Sequence, residues 1–300
     1  MPIPEALPGT VVVKVANAGI CGSDLHAYRT EAQQHFPGGH ELSGTAAQTG
    51  VGATMFRVGQ RVTIDMVLGA ACGVCEYCKL GTPIHYRARE FPFGGGFAEF
   101  VRTKEAGVFP LPDAVDDHLG AIVEPVAVDV HTCRKMCIEP GMVGMVIGAG
   151  SIGLAALAMG AEAIMPADRA EALGMVQTAT SGLGAHFAME AVGGTADTLD
   201  YACQFVRPLG MVSMLGAFDH GFRGVEIIAP HIKELTIHLP NCYGCIDGEH
   251  DFARAIDLLA RKGDALRHMI THELSLNDIH EAFRLAADKS SDSIKVQVKT

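Results

Sequence analysis

The residues with the most chemistry to offer lie within residues 20–44, in the stretches ICGSDLH and GGHELSG. Cys21, His40 and Glu41 supply a thiolate, an imidazole and a carboxylate, the mixed donor set that suits zinc. Three protein donors leave one coordination position open, where water or a substrate oxygen could enter. Ser23, Asp24 and His26 stand between them in the sequence. A hydroxyl can exchange a proton with a bound alcohol, a carboxylate can orient a ligating imidazole from behind, and a histidine can pass a proton outward. Each residue type alone is commonplace in loops and cores. Six of them in one glycine-bracketed stretch predict a metal site.

Two further patterns carry chemistry. ACGVCEYCKLG places Cys72, Cys75 and Cys78 in a C-x2-C-x2-C run, the spacing of a zinc lobe, and His85 nearby could complete a set of three cysteines and one histidine. GAGSIG follows an apolar run at residues 142–147 and precedes a helical one at 154–159, so it is a G-x-G-x-x-G fingerprint in its strand–turn–helix setting. Gly148 would make the tight turn, Gly150 would let the backbone approach a pyrophosphate, and Gly153 would let helix and strand pack closely. The free amides at Ser151 and Ile152, at the helix start, would receive the phosphates. An acid about 20 residues on should hold the ribose hydroxyls, and Asp168 falls at that distance. A second alignment competes, in which residues 160–194 form a later strand–helix unit and Asp168 is a loop residue. Cys242 and Cys245 form another C-x2-C without a partner pair, and Cys133 and Cys137 lie one helical turn apart. Both pairs read as packing or loop thiols.

The elements around these residues alternate in character. Residues 11–16, 43–52, 59–67 and 94–101 read as short strands between glycine turns, as in an all-β barrel-like domain. Residues 121–135 have helical spacing. Strands expected at 142–147, 186–191, around RPLGMVSMLGAF and around KELTI would form the sheet of a cofactor domain, and residues 294–298 a closing strand. The hydrophobic fraction of 48% suffices for two cores, and a net charge of −11 with no basic run argues against nucleic acid or an anionic membrane as partner. Residues 142–163 are apolar but broken by glycines, unlike a membrane span. The first residues show no basic n-region or apolar h-region, and nine cysteines with three crowded at one spacing favour reduced thiols and metal, so a cytoplasmic location is expected.

These motifs, with GGGFAEFV and EPVAV, resemble the zinc-containing medium-chain alcohol dehydrogenases, most of all their polyol (sorbitol) and threonine dehydrogenase branch. The resemblance implies an α/β protein in which a mainly β, GroES-like catalytic domain (residues 1–123 and 265–300) accompanies a doubly wound Rossmann dinucleotide-binding domain (residues 124–264), both shortened. It implies that Cys21 and His40 ligate a catalytic zinc with Glu41 as ligand or near neighbour, and that Ser23 and His26 carry the alcohol proton with Asp24 behind His40. Glu124 would face the zinc as ligand or exchanging ligand, and backbone at residues 215–217 would approach the nicotinamide. The cofactor would be NAD, with NADP possible, the substrate a small secondary alcohol, and the assembly a homodimer or homotetramer. The chain departs from the family at Tyr86, where a fourth lobe cysteine is usual, and at Asp129, where a small residue is usual and a carboxylate could hinder the cofactor or be solvated. The interval after Asp168 is short, and the strand pair usual before residues 8–15 is not seen. These departures keep open an alternative, a non-catalytic relative that binds metal or a partner without turning over a dinucleotide. A zinc-free quinone or enoyl reductase is disfavoured because such enzymes lack this ligand set.

Overall fold

The computed structural model describes residues 2–29, 38–87, 92–158, 168–194, 196–216, 227–288 and 290–300. In chain order its strands are β1 (Thr10–Gly19), β2 (Glu41–Thr49), β3 (Arg61–Ile64), β4 (Phe100–Lys104), β5 (Val108–Pro110), β6 (Gly144–Ile147), β7 (Ala185–Glu190), β8 (Val206–Met214), β9 (Thr236–His238), β10 (Cys245–Ile246), β11 (Glu249–His250), β12 (Ile270–Ser275) and β13 (Lys295–Lys299). The chain divides into two compact units, Met1–Ala127 with Cys242–Thr300, and Val128–Asn241.

The first unit is built on β1. Its TVVVK run suits a pleated surface buried on both sides, because β-branched side chains pack well there. Val11, Val12, Val13 and Val15 are all buried. β1 pairs antiparallel with β13, β2 and β4, and the sheet runs β12-β13-β1-β2-β3-β5. Val11, Val13, Leu42, Ile64, Val101 and Val108 form the core between these strands. Each such burial stabilises by about 1.5–3 kcal/mol, so this sheet is a firm platform for whatever stands at its ends.

The second unit holds a parallel sheet in the order β6-β7-β8-β9. Parallel neighbours need crossover connections. The helices Arg169–Ala179 and Thr198–Phe205 lead into β7 and β8, and Leu199, Ala202 and Cys203 pack on Ala188 and Val212 of the sheet. The shortened α/β architecture expected from the sequence is present. The boundary is not where it was expected. The chain returns to the first unit at Cys242, not near residue 265, because the amphipathic helix Asp251–Arg267 packs there. Phe252 meets Phe109 with ring centroids 5.3 Å apart, a Cβ at Gly263 would lie 2.6 Å from Leu119, and Arg267 bonds Asp116 at 2.8 Å. No helix among the described residues is long and apolar enough to cross a membrane.

Asp129 follows neither expectation of a solvated carboxylate nor the usual rule for buried ones. It is fully buried in the helix Val123–Lys135, and among the described residues neither carboxylate oxygen has a hydrogen-bond partner. Burial holds its pKa well above the carboxylate range, and burial together with Asp129 pushes the Cys133 thiol up to about 12. A buried polar group without a partner costs about 1–3 kcal/mol. Replacing Asp129 by Ala should therefore raise unfolding stability by about that amount, measured by denaturant titration. A loss of stability in Asp129→Ala would show that the carboxyl is satisfied in solution.

Candidate active site

The metal-binding stretch is positioned by the ends of β1 and β2. Gly19, the last residue of β1, pairs with Glu41, the first of β2. A Cβ at Gly19 would lie 2.2 Å from Glu41 Oε2, so only glycine lets the carboxylate fold back over this strand end. Cys21 follows after Ile20 and immediately precedes the helix Gly22–Arg29. Its carbonyl accepts from the amides of Asp24 and Leu25, and its own amide donates to Asp24 Oδ2 at 2.9 Å. This reciprocal cap fixes the Asp24 side chain and the Cys21 backbone at a helix N-terminus, where the dipole favours a thiolate. The donor atoms of Cys21, His40 and Glu41 all lie within 4.8 Å of one another. Metal–ligand bonds of about 2.0–2.3 Å can span such a group.

Glu41 is held from the far end of the chain. Lys295, in β13, donates to both Glu41 oxygens at 2.7 Å and to the Ile20 carbonyl at 3.2 Å, and both side chains are buried. His40 Nδ1 stands 3.8 Å from Asp24 Oδ1, within ion-pair range and too long for a hydrogen bond. Burial disfavours a charged His40, yet the hydrogen bond with Cys21 and the charges of Glu124, Cys21 and Asp24 outweigh it and hold the pKa well above the ordinary imidazole value. Glu124, buried at the start of its helix, is pushed up to about 7 by burial, with His40 lowering it and Glu41 raising it. It belongs to the same electrostatic cluster but lies outside the three-donor group. These surroundings favour positive charge, which is what a divalent cation requires.

Ser23 and His26 lie three positions apart on the exposed side of the Gly22–Arg29 helix, where such residues are neighbours. The structure also brings in residues whose place at the site no motif gave. Burial, Glu124, Asp65 and Cys21 push the Cys242 thiol up to about 12, and the same groups act on the buried Tyr243 hydroxyl. Asp65, fully buried, caps the helix Met66–Ala70 through the Leu68 amide and faces His250 Nε2 at 3.3 Å. Burial raises its pKa to about 7. The C-x2-C pattern drew attention to Cys242 but could not place it here. Nothing local marks Lys295.

The fingerprint turn follows β6. Gly148 has φ +113°, which favours glycine, and a Cβ at Gly153 would lie 1.9 Å from the Gly148 carbonyl oxygen. Gly150 is different, since a Cβ there would meet no protein atom within 4 Å. Packing does not require that glycine, whereas a closely approaching phosphate does. Ser151 and Ile152 open the helix Ser151–Ala158. Asp168 Oδ1 accepts from the amides of Ala170 and Glu171 at 2.7 and 3.0 Å, so it caps the helix Arg169–Ala179 that leads into β7. Pro166 and Ala217 lie outside the described residues, while the Leu215 and Gly216 amides donate to the Glu190 carbonyl.

Cys72, Cys75 and Cys78 form a second donor group, with Sγ atoms 3.8 Å (Cys72–Cys78) and 3.5 Å (Cys75–Cys78) apart. A tetrahedral zinc with bonds of about 2.3 Å spaces sulfurs by about 3.8 Å. The amides of Cys78 and Arg87 lower the Cys75 pKa to about 6, as a thiolate-binding knuckle should. His85 is not part of the group; its ring meets Tyr77 edge-on at 5.9 Å. Tyr86 is buried with Ala70 and Ala71, and Cys75 and Cys78 pack against that cluster.

Removing one partner of a buried ion pair leaves an uncompensated charge, at a cost of about 3–5 kcal/mol. Lys295→Met should lose about that much stability, and the double variant Glu41→Gln/Lys295→Met should recover most of it. Equal losses in the single and double variants would mean that the pair is not coupled.

Residues 7–113 match the family model of the alcohol dehydrogenase GroES-like domain, and residues 143–261 that of the zinc-binding dehydrogenases. The chain is 30% identical to "Probable D-xylulose reductase A" of Aspergillus clavatus, over 94% of this chain and 88% of that protein. It is 27% identical to the sorbitol dehydrogenase of Bacillus subtilis, over 99% of this chain and 92% of the relative. That alignment runs over 334 positions although the chain has 300 residues, so the relative carries residues with no counterpart here. Among solved structures, an oxidoreductase/dehydrogenase of unknown specificity from Escherichia coli superposes with a TM-score of 0.87 at 25% identity, over 100% of this chain and 94% of that one. Galactitol-1-phosphate dehydrogenase from Escherichia coli shares the fold with a TM-score of 0.86 at 24% identity, over 100% and 94% of the two chains. The chain thus belongs to the zinc-containing medium-chain alcohol dehydrogenase family, near its polyol dehydrogenases.

Proposed function

We propose that this oxidoreductase interconverts a secondary alcohol (a polyol, sugar or amino alcohol) and its ketone with a nicotinamide cofactor. The observation that carries the reading is the gathering of the Cys21, His40 and Glu41 donors within 4.8 Å of one another beside Glu124. A zinc held by Cys21, His40 and either Glu41 or Glu124 would supply Lewis-acid polarisation of the substrate oxygen, and the nicotinamide would supply the hydride chemistry.

The chain's own residues do the rest. Asp24 anchors the Cys21 amide and faces His40, which fixes two donors through one carboxylate. Lys295 holds Glu41 against the strand end, and Glu124 stands in the same electrostatic cluster as a second carboxylate. Ser23 takes the hydroxyl proton and His26 passes it outward from the exposed side of the same helix. The Gly148–Gly153 turn receives the pyrophosphate at the amides of Ser151 and Ile152. The three lobe thiolates would hold a second, structural zinc. None of the nine cysteines is in a disulfide, in keeping with a reducing, cytoplasmic setting. A homo-oligomer belongs to the same reading, supported by edge strand β9 with exposed Ile227, Ile228, Ile232 and Ile237 around it.

Cys21→Ser should lower bound zinc by one equivalent and abolish turnover across a panel of polyols, sugars and amino alcohols, read by metal analysis and by nicotinamide absorbance. Full activity in Cys21→Ser would refute the enzyme reading. Lost zinc with no activity in the parent protein would favour the non-catalytic alternative.

A further inference from the structure

The phosphate turn has a wall beside it, and one carboxylate holds that wall. β6, β7 and β8 are parallel, so their carboxyl ends share one edge of the sheet, the edge where open α/β folds take their ligands. Ile147, Glu190 and Met214 stand in register along it. There Gly148 leans on the loop that follows β7. A Cβ at Gly148 would lie 3.0 Å from Val192 Cγ2 and 3.1 Å from the Ala191 carbonyl oxygen. The Ala191 amide donates to the Ile147 carbonyl at 2.9 Å. The turn keeps its shape only if this loop keeps its place.

Glu190, the last residue of β7, fixes the loop, and its side chain is fully buried. Its Oε1 accepts from the amides of Val192 and Gly193 at 2.8 and 3.0 Å, and from the Thr198 hydroxyl at 2.7 Å. Gly193 and Gly194 have φ of +66° and +64°, which lets the chain fold back around this oxygen. Successive amides in such a bend form an anion-binding concavity, and here the protein's own carboxylate fills it. The Glu190 carbonyl accepts from the Leu215 and Gly216 amides after β8, at 2.8 and 3.2 Å. Among the described residues Oε2 has no hydrogen-bond partner, and a Cβ at Gly216 would lie 2.6 Å from it. One residue thus ties together the loop after β7, the start of the helix Thr198–Phe205 and the end of β8. The core of this sheet is built without it, from Ile147, Ala188, Leu199 and Val212 among others.

We infer that Glu190 is a positioning residue for the dinucleotide, holding residues 191–194 against the Gly148–Gly153 turn in the shape that receives the pyrophosphate. The inference rests on the dehydrogenase reading above and deepens it. Its test is a titration of the purified, zinc-replete full chain with NADH, followed by cofactor fluorescence, in Glu190→Leu and Glu190→Gln. Leucine has no acceptor and releases three donors at once, where a single hydrogen bond to a charged group corresponds to about tenfold or more. Glu190→Leu should therefore raise the NADH dissociation constant by about tenfold or more, with bound zinc unchanged. Glutamine keeps an acceptor oxygen for the same three donors, so Glu190→Gln should stay within about threefold of the parent. Parent-like NADH affinity in Glu190→Leu, shown to be folded by circular dichroism, would overturn the inference whatever its melting temperature. A loss in Glu190→Gln as large as in Glu190→Leu would overturn it too. Where Glu190→Leu does not fold, Thr198→Val carries the test by removing one donor alone. A rise of about threefold or more is expected there, and unchanged affinity would overturn the inference. Each of these failures leaves the dehydrogenase reading standing. No saturable NADH binding by the folded parent protein would overturn both.

Discussion

Two buried charges, Glu41 and Lys295, hold the candidate active site together. They come from opposite ends of the chain, 254 residues apart, and meet where β1, β2 and β13 converge. Burying such a pair costs each ion its hydration, so its net contribution to stability is small or negative. What it supplies is position. With both oxygens on the ammonium and a backbone carbonyl taking a third donor, Glu41 has one place to be, and the end of β1 that carries Cys21 is tied to the same lysine. The closing strand is thereby part of the metal site without offering a ligand.

The donor set itself was legible in the sequence because its members are local. Cys21, His40 and Glu41 sit at or just beyond the adjoining ends of two paired strands, with Asp24 in the helix that follows Cys21, and a short stretch of sequence is brought together by one antiparallel pairing. Lys295 was not legible, since a lysine in IKVQVK reads as the solvent-facing member of an alternating strand. Only the pairing of β13 with β1 buries it. The placement of Cys242 and Tyr243 was hidden for a related reason. Their neighbours Asp65, Glu124 and Cys21 are distant in sequence, and no spacing rule links them.

The fold was read well where local chemistry dictates it, as in the β-branched run of β1 and the strand–turn–helix at Gly148. It was left open where the same local pattern serves two topologies. Counting from Gly148 put an acid at Asp168, but counting cannot tell the end of a second strand from the cap of a later helix. Asp129 is a similar case. Its place on a helix was visible, while its burial depends on what packs over that helix. The lobe lies between these extremes. The sequence showed three cysteines and offered His85 as a fourth ligand, and the structure turns that imidazole towards Tyr77 instead.

The central claim is that Cys21 and His40, set beside the Glu41–Lys295 pair, hold a zinc. Anomalous diffraction from crystals of the zinc-loaded protein, at energies just above and below the zinc edge, tests it most directly because it separates the two metal sites by position. A zinc peak is expected within bonding distance of Cys21 Sγ and a His40 ring nitrogen, whatever the occupancy of the Cys72–Cys75–Cys78 lobe. A peak at the lobe with none at Cys21 and His40 would contradict it.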